Sequence, residues 1–107
     1  MRIHHLALPE DWAAAQEAGD YRVSSRGRTL ADEGFIHTST PEQVAGTFQR
    51  YYADRHDVLL LTIDTDRLTS PWRFDPVGDT EFPHVYGPID LDAVVEVDPY
   101  RAQVDRD

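Results

Sequence analysis

An α+β fold in one small domain is what the sequence predicts, with a mixed or antiparallel sheet and two helices in its first half. Three observations predict it. Short extended runs outnumber helical ones along the 107 residues. Only residues 9–18 and 41–53 carry helix-start signals followed by helical spacing, and both precede the densest group of strands. The most apolar run, Val58-Leu59-Leu60-Leu61-Thr62-Ile63, is too short to span a membrane and reads as a central strand buried on both faces. Strands grouped apart from helices favour α+β over a doubly wound sheet. At this length residues 1–107 form a single domain, which buries somewhat over ~60% of its unfolded surface.

In chain order, residues 2–8 form the first strand. Ile3, His5 and Ala7 face one way and His4, Leu6 and Leu8 the other. Pro9 opens the first helix, acids fill its first turn, Trp12 is its core anchor and Gly19 stops it. Residues 21–23 are briefly extended. Residues 24–32 are polar, contain Gly27 and read as a loop, too long in so small a domain to be idle. In residues 35–39, alternation puts Phe35, His37 and Ser39 on one face of a strand. That strand runs straight into a second helix through a capping box, with Thr40 as N-cap, Pro41 next and Gln43 at the third position. Val44, Phe48, Tyr51 and Tyr52 make the apolar face of this helix.

Residues 65–68 suit a single helical turn, and residues 72–74 are extended again. Residues 76–80 form a turn. In residues 82–86, Pro83 lacks an amide donor, which places that strand at an edge or with one open side. Residues 93–97 are the last strand, and residues 100–107 are a frayed charged tail.

Composition excludes several chemistries. With no cysteine there are no disulfides, thiolate metal sites or thiol nucleophiles, and with no lysine there is no Schiff base. The net charge of -10 repels polyanions, so DNA and RNA are not the expected partners. Arg22, Arg26 and Arg28 are the one basic cluster and read as part of the polar loop. No apolar run suits a membrane and no leader precedes the first strand, so the expected location is cytoplasmic.

Five histidines are a high count for this length, and His4, His5, His37 and His84 fall on predicted strands. A metal centre is the first reading, because histidine is the commonest ligand. The spacing argues against it: no His-Glu-x-x-His is present, and adjacent His4 and His5 point to opposite faces. No metal is therefore expected. A Ser39-based triad is the second reading, but Ser39 lacks a Gly-x-Ser-x-Gly elbow and is explained as a helix-entry residue. The third reading is a polar pocket for a small phosphate-bearing ligand. It would be made of His5, His37, Ser39, the helix start at Thr40, and the strand carrying His84 and Tyr86. Glu81 would steady positive charge developing at a ribose carbon. Any one of these histidines alone is better explained as a satisfied sheet residue.

Four segments in order resemble a known family. They are Ile3-His4-His5-Leu6 with Asp11-Trp12 after it, Glu33-Gly34-Phe35-Ile36-His37-Thr38-Ser39-Thr40, Leu59-Leu60-Leu61-Thr62-Ile63-Asp64, and Phe82-Pro83-His84-Val85-Tyr86-Gly87-Pro88-Ile89. Over about residues 1–98 the chain resembles the bacterial domain of unknown function 952 family (DUF952). That resemblance implies a fold similar to the ADP-ribosyltransferases, which bind NAD in a cleft between sheet halves. Carried over, His5 would hold the dinucleotide and His37-Thr38-Ser39 would line the nicotinamide side. Glu81, or Asp75 with its shorter reach, would be the catalytic acid beside His37. The chain departs from that pattern in having no Glu-x-Glu or Gln-x-Glu pair. The expected function is an NAD-dependent ADP-ribosyl or glycosyl transfer. The alternatives are a non-catalytic nucleotide or small-anion binder and a metal-dependent small-molecule enzyme.

Overall fold

The computed structural model describes residues 1–100. Along the chain run β1 (Arg2–Ala7), α1 (Pro9–Ala18), β2 (Asp20–Tyr21), β3 (Val23–Ser25), β4 (Arg28–Thr29), α2 (Leu30–Glu33) and β5 (Ile36–His37). A three-residue 3-10 turn, Pro41–Gln43, leads into α3 (Val44–Tyr51). Then come β6 (Leu59–Asp64), β7 (Trp72–Val77), β8 (Thr80–Val85), β9 (Ile89–Asp90) and β10 (Val94–Pro99). All strand pairs are antiparallel.

The α+β class is observed, and the helix count is corrected: α2 is a third helix in the first half. Its signal was present in the sequence. Thr29 accepts from the Asp32 amide while Asp32 accepts from the Thr29 amide, a reciprocal cap that carries a four-residue helix. The polar stretch before it is likewise no open loop. Val23–Ser25 and Arg28–Thr29 pair as a hairpin, and Gly27 supplies the positive φ of 77° that its turn needs.

The largest sheet has the order β1-β6-β10, so the most apolar run is indeed its centre. Leu61 and Ile63 are completely buried. On one face of this sheet, Ile3, Ala7, Leu61 and Ile63 join Tyr21, Ile36, Val85 and Ile89 in one core. On the other, Leu6 and Leu8 pack with Val44, Phe48, Tyr52 and Val58 beneath α3. The alternation of β1 thus feeds two cores, as its sequence pattern requires. Trp12 packs only partly buried on the first core, and Ala15 is the fully covered residue of α1.

The second three-stranded sheet has the order β5-β8-β7, so of the two positions expected for the Pro83 strand, an edge or one open side, the edge is excluded. Its strand is central, yet the neighbour tolerates a missing donor. β5 ends at His37, and beyond it Thr38 donates both its amide and its hydroxyl to the Pro83 carbonyl, at 3.2 and 2.6 Å. The two sheets meet at Ser39, whose backbone exchanges two 2.8 Å hydrogen bonds with His4. That junction fixes the geometry of everything described next. Tyr100 is part of the fold, bonded to Val58 and packed on Phe48, and the rest of the expected tail lies outside the described residues. No helix among the described residues is long and apolar enough to cross a membrane.

Candidate functional site

A cleft of about 490 Å³ opens where the edge of β1, the β3–β4 hairpin, the β5–β8 pair and α3 converge. That volume falls in the range of small-molecule sites. The chain reaches it through the sharp exit of α2. Gly34, at φ 86°, stops the helix in a left-handed conformation and turns Phe35 and His37 onto the sheet.

Among the described residues, Glu33 is the only carboxylate lining the cleft. It accepts from the Ser24 hydroxyl at 2.8 Å, from His37 Nε2 at 2.9 Å and from Arg28 at 3.1 Å. Those donors, Ser24 foremost, hold its carboxyl below the usual carboxylate range. The carboxylate therefore stays charged and fixes the His37 ring, whose side chain is 45% exposed.

His5 lies at the cleft wall with both ring nitrogens committed. Nδ1 donates to the His37 carbonyl at 2.6 Å, so Nε2 accepts from the Tyr21 hydroxyl at 2.8 Å. Burial pushes its pKa down to about 4, and the ring is neutral. It joins β1 to β5 and has no nitrogen left to offer a dinucleotide. His4 was expected on the opposite face, and it too lines the cleft. β1 is the edge strand of its sheet on this side, so residues of both faces border the opening.

His84 stands across from His37 in the β5–β8 pair, with ring centroids 5.3 Å apart. Phe35 stacks on its face at 4.1 Å. Its Nδ1 donates to Asp75 at 2.8 Å. The same Asp75 oxygen accepts from the Tyr86 hydroxyl, and the other accepts from Arg73 at 2.8 Å. Tyr86 and then Arg73 hold the Asp75 carboxyl well below the usual range. Tyr86 is thus a support behind His84 and does not line the cleft.

Of the remaining predicted residues, Ser39 lines the cleft, with its hydroxyl 3.2 Å from that of Thr47. Thr40 does not line it. Its amide is taken by Gln43 at 3.0 Å, while the Gln43 amide donates to the Thr40 carbonyl. The helix start is therefore self-satisfied and turned away. Glu81 is exposed and outside the lining as well, because strand alternation sends Phe82 and His84 to the cleft face and Glu81 to the other. Neither Glu81 nor Asp75 reaches the cleft surface. Among the described residues, no three histidine or acidic side chains are grouped to hold a metal ion.

Arg26 and Arg28, of the basic cluster read in the polar loop, line the cleft, and Arg50, which sequence reasoning missed, lines it with them. Arg26 is paired with Asp54 at 2.6 Å, whereas Arg50 forms no ion pair among the described residues and lies over the Tyr51 ring. Tyr51, read as helix packing, is 57% exposed and lines the cleft instead. The position of Arg50 and Tyr51 one helical turn after Thr47 was the signal available, since that face adjoins Ser39.

The family model described as "Protein of unknown function (DUF952)" matches residues 6–97. Two crystal structures of protein CC0527 from Caulobacter crescentus, one of them a double mutant, have the same fold with a TM-score of 0.81. They are 24% and, for the mutant, 23% identical to the chain, and in each case the alignment covers 92% of this chain and 85% of that one. No curated protein matches.

Proposed function

The chain belongs to the DUF952 family, and we propose that its cleft binds a phosphate-bearing small molecule of the nucleotide class, with NAD as the first candidate. One observation carries this reading. A chain of net charge -10 gathers three arginines, Arg26, Arg28 and Arg50, around one concavity whose only carboxylate among the described residues is Glu33. Such a cleft concentrates anions despite the acidic whole. The arginines supply fork-shaped donors for phosphate oxygens. Tyr51 and Phe82 supply ring faces for a base. Serine and threonine hydroxyls at 38, 39 and 47 supply partners for a sugar.

A second reading is catalytic and is favoured by Glu33. A carboxylate held ionised inside the cleft is what a glycosyl transfer needs against an oxocarbenium-like transition state. Under this reading Glu33 takes the role expected of Glu81, and His37, oriented by Glu33, meets the ribose. The ADP-ribosyltransferase likeness implied by the family resemblance belongs to this proposal.

Titrating the protein with NAD while following backbone amides by NMR tests the first reading. Saturating shifts at residues 24–28, 37–39 and 47–52, weakened by added salt, are expected. Absence of shifts at millimolar NAD and ADP-ribose overturns it. Nicotinamide release from NAD, lost in Glu33→Gln with binding retained, is the outcome expected of the catalytic reading. Binding without any release leaves a non-catalytic nucleotide site.

A further inference from the structure

Resting on the cleft as a ligand site, we infer that His84 is its hydrogen-bond acceptor for the ligand and that Asp75 is the positioning residue that makes it one. His84 is 4% exposed, yet its Nε2 has no hydrogen-bond partner. Among the described residues it is the only buried side-chain nitrogen or oxygen left so. Buried polar atoms are almost always paired, so an orphan one asks for a partner from outside the chain.

The tautomer follows from the neighbours. A carboxylate held ionised can only accept, so His84 Nδ1 carries the proton it gives to Asp75. Burial, its largest influence, lowers the His84 pKa, and the ring is neutral with a bare lone pair on Nε2. Nδ1 is turned toward Asp75 on β7, while β5 with His37 flanks the other side of β8 and His84 lines the cleft. Phe35, stacked at 4.1 Å, prevents the ring from turning over freely. The exposed His37 side chain lies beside it, with ring centroids 5.3 Å apart.

The missing partner is therefore a donor, a hydroxyl or an amide N–H, on a molecule whose anionic part the arginines hold. On an NAD-class ligand that donor is a ribose hydroxyl or the carboxamide. Replacing Asp75 by asparagine reverses the polarity. Arg73 Nε can only donate and so takes the amide oxygen, which leaves the amide NH2 facing His84. Nδ1 must then accept, and Nε2 becomes N–H.

Imidazole nitrogen NMR on the full chain tests this, with His84→Gln identifying the His84 signal. Wild-type protein should show Nδ1 protonated and Nε2 bare, and Asp75→Asn the reverse. A wild-type Nε2–H tautomer overturns the inference without reference to any ligand. NAD, ADP-ribose and nicotinamide are then added separately. A shift of Nε2 by ADP-ribose assigns the ribose, one by nicotinamide the carboxamide, and NAD affinity should fall about ten-fold in Asp75→Asn. If NAD moves the cleft amides but no probe perturbs Nε2, the acceptor role is lost while the cleft reading stands. If no probe moves a cleft amide, the nucleotide reading falls, and the tautomer alone decides the role of Asp75.

Discussion

His5 and His84 are equally buried, at 3% and 4% exposure, and lie on two different sheets that meet at Ser39. His5 belongs to the β1-β6-β10 sheet and uses both nitrogens inside the protein. His84 belongs to the β5-β8-β7 sheet and uses one. Burial therefore does not separate a structural histidine from a functional one here. The unspent hydrogen-bonding capacity does. The same contrast extends to the regions around them. The first sheet is closed on both faces by apolar cores, whereas the second presents Glu33-bound His37 and Asp75-bound His84 to a cleft.

If the β1-β6-β10 sheet is the structural half, its centre carries a large stability effect. Leu61→Ala removes a completely buried side chain from the strand shared by both flanking pairs. A loss of about 2–5 kcal/mol is expected by urea unfolding. A loss under about 1 kcal/mol would mean that β6 is not the organising strand.

Acid should act on the same half. The folded pKa of His5, about 4, lies below its ordinary 6.5. Between those values the unfolded chain binds a proton that the folded chain refuses, so stability falls as pH falls. The contribution is fully present above pH 6.5 and shrinks by about 3 kcal/mol by pH 4. His4 and His84 are also lowered by burial and act with the same sign. Unfolding midpoints that stay flat between pH 7 and pH 4.5 would contradict this assignment of neutral, enclosed histidines.

Tyr21→Phe sharpens the comparison by making His5 resemble His84. It removes the hydroxyl from Nε2 and leaves a second buried acceptor without a partner. A loss of about 1–3 kcal/mol is expected, with the amide shifts caused by NAD unchanged. A variant as stable as the wild type would show that an orphan imidazole nitrogen is tolerated here at no cost, and the orphan on His84 would then carry less meaning.

Period-two alternation made much of this legible. Ile3, His5 and Ala7 against Leu6 and Leu8 gave the two faces of β1, and the run ending in Ile63 gave the central strand. The capping box at Thr40 was legible too, but not its orientation: whether a helix start faces a cleft depends on tertiary packing. Glu81 was misplaced because the strand was begun at Phe82, one residue short of it. Alternation alone already put it opposite His84. The arginines were read as loop because residues 24–32 contain no apolar pattern. Their structure comes from local polar bonds, the Thr29–Asp32 cap and the Gly27 turn. The leftover valence of His84 Nε2 was not legible at all, since it depends on Asp75, Tyr86 and Phe35 being where they are.

The smallest stability effect should come from the most informative cleft residue. Tyr51 is 57% exposed on α3, and its ring contributes little to the core that Val44 and Phe48 of the same helix form with Tyr52 just after it. Tyr51→Ala is expected to change stability by no more than about 0.5 kcal/mol. Stacking of a base on an aromatic ring is worth roughly 1–3 kcal/mol, so NAD binding should weaken about ten-fold or more. Tyr52→Ala, one residue on, should cost about 3–5 kcal/mol of stability because that ring is buried. Adjacent tyrosines of such unequal effect on folding would place the edge of the core at the single peptide bond that closes α3. If Tyr51→Ala instead left NAD binding intact, the base would have to lie on Phe82, and the ligand would enter from the β8 side.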